Sequence, residues 1–298
     1  MTTSCAATLT RESDHWVGRF VAMAAPCEVL IDHAPASLAQ QVLDRVAAEA
    51  WRIERRFSRY RGDSAVQSIN ENAGTEIVVD EECANLLDLA ATLTRLSEGA
   101  FDITSGVLRK AWTSDGGERV PSQAQVDALL ESVGWHKVEW RRPLLKLQPG
   151  MQIDFGSIGK EYAVDAAANR AAQVAPGLSC LINFGGDVAV RNARKYDEPW
   201  RVGIESPAHT GTAERVVKLS RGALATSGDS HRYVLRDGHR YSHILDARTG
   251  WPVRNAPHSI TVAADTCTQA GTITTLAMLQ GENAEQMLRE SGLQYWLQ

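Results

Sequence analysis

Paired cysteines, long apolar runs and a strong excess of one charge are all missing from these 298 residues, and each absence removes a class of protein. Five cysteines, Cys5, Cys27, Cys83, Cys180 and Cys267, are scattered without C-x-x-C spacing. Neither a disulfide framework nor a zinc site is indicated, and reduced thiols are expected. No stretch approaches the roughly 18 apolar residues of a spanning helix. The net charge of −5 gives no reason to expect nucleic acid or an anionic membrane as partner. Arg11, Glu12, Asp14 and His15 precede any apolar run, so no signal peptide is visible and the chain reads as cytoplasmic. Internal repeats, low-complexity segments and flexible linkers are absent too. What remains is an ordinary globular composition, 44% hydrophobic and 22% charged, long enough to bury a substantial core.

Periodicity predicts the elements. Trp16 to Ile31 alternates apolar and polar residues around Ala24-Ala25-Pro26, as two short strands with a turn between them would. Leu38 to Arg55, with Val42, Val46, Ala50 and Ile53 at helical spacing, reads as an amphipathic helix. Glu81 to Ser97 does the same through Leu86, Leu87, Ala90, Leu93 and Leu96. Ser122 and Gln125 have capping-box spacing at the start of a short helix. Strands are expected around Lys137-Val138-Glu139-Trp140, Leu144 to Leu147, Leu178 to Phe184, Trp200 to Glu205, Glu214 to Leu219 and Ser259 to Ala263. Cys267 to Leu279 and Ala284 to Ser291 read as the last helices.

Two stretches carry chemistry. Asp237-Gly238 between β-prone runs is a strong hairpin signal. Its two-residue loop sets Arg236 opposite His239, Val234 opposite Tyr241 and Arg232 opposite His243. Arg232, His239, Tyr241 and His243 then share a polar, partly cationic face, suited to an anion or simply to water. The other stretch, Met151 to Tyr162, reads as a strand, a glycine turn and the start of an Ala-rich helix running to about Gln173. Free N–H groups at that helix start attract anions. Lys160 in the first turn opposes the helix dipole by roughly 0.3–1 kcal/mol, which makes sense if an anion docks there; a lysine snorkelling into water is the plainer reading. Phe57-Ser58-Arg59-Tyr60 puts an aromatic beside an arginine just past a helix, a good platform for a flat heterocycle.

These stretches together resemble the ApbE family, the FAD:protein FMN transferases. The matching segments are Phe57-Ser58-Arg59-Tyr60, Gly99-Ala100-Phe101-Asp102, Asp154 to Asp165, Asn183 to Asp187, and Ser227-Gly228 with Tyr241 to Asp246 and Arg248 to Pro252. They occur in the family's order and span about residues 18 to 290. The resemblance implies a mixed α+β fold with largely antiparallel sheets around an FAD cleft, residues 1–17 forming a tail and 18–298 a single domain. It implies Mg2+-dependent transfer of FMN from FAD to a threonine of a target protein, within a Ser/Thr-Gly-Ala-Thr-type motif, with release of AMP. By the same resemblance Met23, Tyr60, Ala100, Phe101, Asp102, Asp154, Lys160 and Ile244 contact FAD, although Met23 could equally fill a core gap. His243 is the acid/base or phosphate contact, its ordinary pKa of about 6.5 suiting either role. Ser157 and Thr275 are metal ligands.

The sequence departs from the family at several points. Many relatives are exported. Where relatives have Gly-Thr after the methionine, Ala24-Ala25 stands here, and Ile103 replaces the usual proline. Gly271 stands where relatives have a metal-binding aspartate four residues before Thr275. Glycine brings no side-chain oxygen, so weaker metal binding is expected, with Asp265 or Asp229 as substitutes and Gly271→Asp as a restoring change. A non-catalytic FAD carrier or an FAD pyrophosphatase is the alternative that this gap raises.

Overall fold

The computed structural model describes residues 6–112, 120–206, 209–228, 233–236 and 239–298. Strict alternation drives its first hairpin: along His15–Ala22, Phe20 and Ala22 point inward while Arg19 and Val21 face solvent. Ala25–Asp32 returns antiparallel, and the sheet grows to eight strands, Thr8–Glu12, His15–Ala22, Ala25–Asp32, Cys180–Phe184, Asp187–Val190, Gly222–Gly228, Ser259–Ala264 and Gln294–Leu297. Spatial order follows chain order, and every neighbouring pair is antiparallel. Thr8–Glu12 corrects the reading of residues 1–17 as a tail: it pairs with His15–Arg19, and Arg19 reaches back to Glu12 at 2.8 Å. An exposed, mostly polar edge strand has little hydrophobic alternation to reveal it.

Helices fill the long connections. α1 (Ala36–Phe57), α2 (Ala65–Glu71), α3 (Glu81–Leu96), α4 (Gln123–Leu130) and α5 (Gly159–Val174) precede the fourth strand; α6 (Cys267–Leu279) and α7 (Ala284–Ser291) separate the last two. α1 buries the expected stripe of Val42, Val46, Ala50 and Ile53, and α3 is capped by Asp80, which accepts from the Cys83 N–H. The capping box of Ser122 and Gln125 forms as its spacing requires. Where a strand was expected from Lys137, a short 3-10 turn occupies Trp135–Lys137 and the strand begins at Glu139.

α1, α5 and α6 cover one face of the sheet, and their apolar stripes join Phe20, Val29, Ile31, Ile182 and Phe184 in the main core. A two-stranded ribbon, Trp200–Ser206 with His209–Leu219, supplies Trp200 and Leu219 to a second core with Leu181, Val188, Val190 and Leu224. A satellite core of Val107, Leu108, Trp112, Val133 and Ala247 lies under the segment that follows the later hairpin. The architecture is α+β. Cys27, Cys83, Cys180 and Cys267 are buried free thiols, and burial pushes Cys27 and Cys83 up to about 12 and about 11. Among the described residues, no helix is long and apolar enough to cross a membrane.

Candidate active site

The end of α1 delivers a cationic corner. Ser58 adopts extended backbone, stopping the helix and turning Arg59 and Tyr60 outward. Arg59 donates to the Gly106 carbonyl at 2.8 Å and to Asp154 Oδ2 at 3.1 Å, and Arg109 Nε lies 3.3 Å from the same oxygen. A Cβ at Gly106 would come within 2.8 Å of the Asp154 side chain, so only glycine permits this approach. Asp154 is therefore held by two guanidinium groups, and the corner keeps one net positive charge. Tyr60 stands beside it, 81% exposed, its ring 5.8 Å from the Arg59 guanidinium. An exposed aromatic next to a guanidinium has the chemistry to stack on a flat ring.

Asp102 is tied into the fold by its own hydrogen bonds. Its Oδ1 accepts from the Thr104 N–H and hydroxyl at 2.8 and 2.7 Å, and Oδ2 accepts from the Trp135 N–H at 2.6 Å. The carboxylate caps the 3-10 segment Ile103–Lys110 and is buried, so its oxygens already have partners. Ala100 and Phe101 are buried as well, leaving backbone as what this segment can offer a ligand.

A second charged group gathers at the start of α5, whose first turn has no side-chain cap. Lys160 Nζ meets Asp187 Oδ2 at 2.8 Å; the lysine is 32% exposed and the aspartate 2%. Burial opposes the charge of Lys160, but Asp187 and Glu161 outweigh it and hold the ammonium above its usual range. Burial pushes the Asp187 carboxyl up. Glu161, the next residue, is pushed up to about 8 by burial and then by the charge of Asp187. Glu161 Oε2 is sealed from solvent with no hydrogen-bond partner. One ammonium thus faces two carboxylates, and the group carries one surplus negative charge when both ionise. Sequence reasoning missed Glu161, because nothing local marks an acidic residue in a helix's first turn as having an oxygen shut away from solvent.

The hairpin loop bearing Met23 closes on the same place. Ala22 pairs with Ala25, so Met23 and Ala24 form a two-residue turn with φ of 53° and 55°. Such conformations cost non-glycine residues on the order of 1–3 kcal/mol each and gather at working sites. Met23 is half-buried against the main core. The Gly185 N–H donates to the Pro26 carbonyl at 2.9 Å, and the Lys160 ammonium lies 3.9 Å from where a Gly185 Cβ would be.

α6 packs along α5 in a fixed register. Asp165 accepts from the Cys267 and Thr268 N–H groups, both at 2.8 Å, and from the Thr268 hydroxyl at 2.7 Å. One turn further along each helix, a Cβ at Gly271 would lie 2.4 Å from Glu161 Cγ and 2.9 Å from its Oε1. An aspartate placed at 271 would have to displace the Glu161 side chain from this space. Thr274, fully buried, donates to the Gly271 carbonyl and shares a 2.8 Å hydrogen bond with Ser227. Thr275 is half-buried one turn beyond Gly271, and Ser157 is exposed one turn before Glu161. Among the described residues, no group of three or more His, Cys, Asp or Glu could hold a metal ion. A magnesium site needs fewer: one or two carboxylates, with phosphates and water completing the shell. The buried, unpartnered carboxylate oxygen of Glu161 fits that donor chemistry.

The later hairpin keeps its expected register, Val234 opposite Tyr241 and Arg236 opposite His239. Arg232, Asp229 and the Asp237-Gly238 turn lie outside the described residues. Tyr241 corrects the reading of one shared polar face: its ring packs on Trp112 at 5.9 Å, within the satellite core. Trp112 also meets Trp251 edge-on at 5.2 Å and donates to the Gly250 carbonyl at 2.8 Å. The Ala247 N–H donates to the Ala100 carbonyl at 3.0 Å. These contacts anchor the segment carrying His243, which is exposed one residue past the strand His239–Ser242, and Ile244, which packs against the main core.

Comparison with known proteins gives a consistent result. The model of the ApbE family matches residues 1–297. A Salmonella typhimurium FAD:protein FMN transferase is 30% identical over 271 residues, covering 87% of this chain and 75% of the relative. The Haemophilus influenzae FAD:protein FMN transferase is 28% identical, covering 78% and 70%. Among solved structures, the ApbE protein of Thermotoga maritima superposes with a TM-score of 0.85 at 29% identity, covering 95% of this chain and 94% of that one. The Pseudomonas stutzeri flavinyl transferase ApbE does so with a TM-score of 0.82 at 28% identity, covering 97% and 92%.

Proposed function

This chain belongs to the ApbE family, and on that premise we propose that it is an FAD:protein FMN transferase, moving FMN from FAD onto a threonine of an acceptor protein with release of AMP. One observation carries the reading beyond kinship. On either side of the turn from Asp154 to Lys160 stand a corner with one surplus positive charge and a carboxyl, Glu161, that on ionising brings a negative charge without a counter-ion. A diphosphate ester together with a divalent cation complements that pair, because each charge then has a partner.

In this reading Tyr60 stacks on a flat ring of FAD, with Arg59 beside it. Asp154 and Gly106 hold Arg59, and Asp154 also holds Arg109, so that the two cations face the phosphates without having to be ordered on binding. The uncapped first turn of α5 adds N–H donors, and Lys160 adds charge. The Met23 turn borders the isoalloxazine, Ile244 closes the apolar side, and Ala100, Phe101 and Asp102 shape the wall through backbone atoms. Ser157 and Thr275 would lend uncharged oxygens to Mg2+, which when bound neutralises charge on the transferring phosphoryl group. His243 takes the proton from the acceptor hydroxyl as its oxygen attacks the FMN-side phosphorus and AMP leaves.

The test is incubation with FAD, Mg2+ and a peptide containing a Ser/Thr-Gly-Ala-Thr motif. The expected result is AMP release matched by a fluorescent peptide. AMP without labelled peptide would indicate hydrolysis, and FAD binding without AMP would indicate a carrier; either contradicts the proposal.

A further inference from the structure

We propose that Glu161 supplies from α5 the anionic oxygen ligand for a divalent metal, the ligand that relatives place on α6 at the position of Gly271. Three independent observations converge. The first is volume: a Cβ at 271 would lie 2.4 Å from Glu161 Cγ and 3.0 Å from its Cδ. A carboxylate reaching inward from α6 and one reaching across from α5 would occupy the same space, so the chain has room for one of them.

The second is an unmet valence. Glu161 Oε2 is buried with no hydrogen-bond partner, while the neighbouring ammonium of Lys160 is already bound by Asp187 at 2.8 Å. Leaving an ionisable oxygen buried and alone is costly, and folded proteins accept it mainly where a ligand, ion or water completes the site. Lys160 and Asp187 already neutralise one another, so Glu161 brings a carboxyl without a counter-ion, and the partner that complements its ionised form is a cation. The donors at hand are hard oxygens, which selects Mg2+ or Mn2+ over metals that prefer nitrogen or sulfur.

The third is register. Asp165 receives the first N–H groups of α6 from Cys267 and Thr268, fixing how the two helices run past each other. Stepping one turn back along α5 reaches Glu161, and one turn forward along α6 reaches Gly271. A further step along α6 reaches Thr275, and Ser157 lies in the turn just before α5, so both hydroxyl-bearing residues fall beyond Glu161 toward the same end of the seam. Glycine at 271 is then what admits the Glu161 side chain, and the swap leaves the charge of the site unchanged.

The proposal rests on the flavin-transferase reading only for its purpose, so its test measures metal binding directly. Mn2+ is titrated into the full chain, alone and with FAD, and free Mn2+ is followed by its electron paramagnetic resonance signal. Loss of a metal-binding contact weakens affinity by roughly tenfold or more, and that loss is expected for Glu161→Gln. Gly271→Asp should also bind poorly, because the new side chain collides with Glu161. The double variant Glu161→Gly with Gly271→Asp should recover binding to near the wild-type level. Wild-type affinity in Glu161→Gln overturns the proposal, as does a folded double variant no better than Glu161→Gln. Should the double variant not fold, the near-isosteric Glu161→Gln decides alone. FMN transfer by a wild type whose Mn2+ binding ignores Glu161→Gln would sink this inference and leave the function. Glu161-dependent Mn2+ binding without AMP release would do the reverse.

Discussion

Helix α5 presents two charged groups from consecutive residues, and they are built on opposite terms. Tyr162 faces a closed network: its hydroxyl donates to Glu82 at 2.7 Å, Arg52 bridges Glu49 and Glu82 at 2.6 to 3.1 Å, Arg56 meets Glu82 and Asp80, and Arg170 meets Glu49 at 3.2 Å. Three guanidinium groups answer three carboxylates. Arg52 holds Glu49 and Glu82 below their ordinary range, and Arg52 is raised in turn. Glu161 and Lys160 face the open group, where one ammonium serves two carboxylates and one oxygen has no partner. Balanced charge fastens helices together, and the closed network does that for α1, α3 and α5. A buried carboxyl oxygen left unpartnered is costly to the ligand-free fold, and its retention points to a partner that the chain itself does not supply.

The strongest way to break this contrast is to remove the single cation from the open group. Lys160→Met leaves Asp187 and Glu161 buried without it, and a loss on the order of 3–5 kcal/mol is expected in urea unfolding. Asp165→Ala leaves the Thr266 cap of α6 but removes the acceptor of its first two N–H groups, and should cost about 0.5–2 kcal/mol in the same measurement. It should also loosen Mn2+ binding, because the register between α5 and α6 is no longer fixed.

The closed network should appear instead in acid. Glu49 and Glu82 are held below the ordinary carboxylate range in the fold, so their stabilisation is present above the unfolded value of about 4.3 and is lost as pH falls through the folded values. Thermal melts taken downward from neutral pH should steepen there, and Glu49→Gln with Glu82→Gln should flatten that limb. The smallest stability effect belongs to a residue outside both groups. Tyr60→Ala should change stability by less than about 0.5 kcal/mol, since the ring is exposed. Its effect should fall on FAD, weakening binding by about 0.5–1.5 kcal/mol in a fluorescence titration.

Local signals in the sequence were read well where local physics decides the outcome. The amphipathic stripe of α1, the capping box of α4, the bounds Cys267–Leu279 of α6 and the hairpin register Val234 to Tyr241 all follow from spacing within a few turns. Long-range juxtaposition is what spacing does not encode. The carboxylate of Asp102 accepts from the Trp135 N–H, 33 residues away, and no local pattern links the two. Tyr241 alternates onto the expected face, but Trp112 turns that position into core. Gly271 read as a lost ligand because only α6 was in view. The carboxylate that fills its space stands 110 residues earlier, on a helix that the linear pattern could not set beside it.

The contrast between the two groups comes down to whether Glu161 has an ionic partner when the enzyme is loaded. The most direct measurement is a crystal structure of the wild-type chain with FAD and Mn2+, locating the ion by its anomalous scattering. The account predicts a peak within coordination distance of a Glu161 carboxylate oxygen, between Ser157, Thr275 and the diphosphate. A peak coordinated elsewhere, with Glu161 still unpartnered, would contradict it.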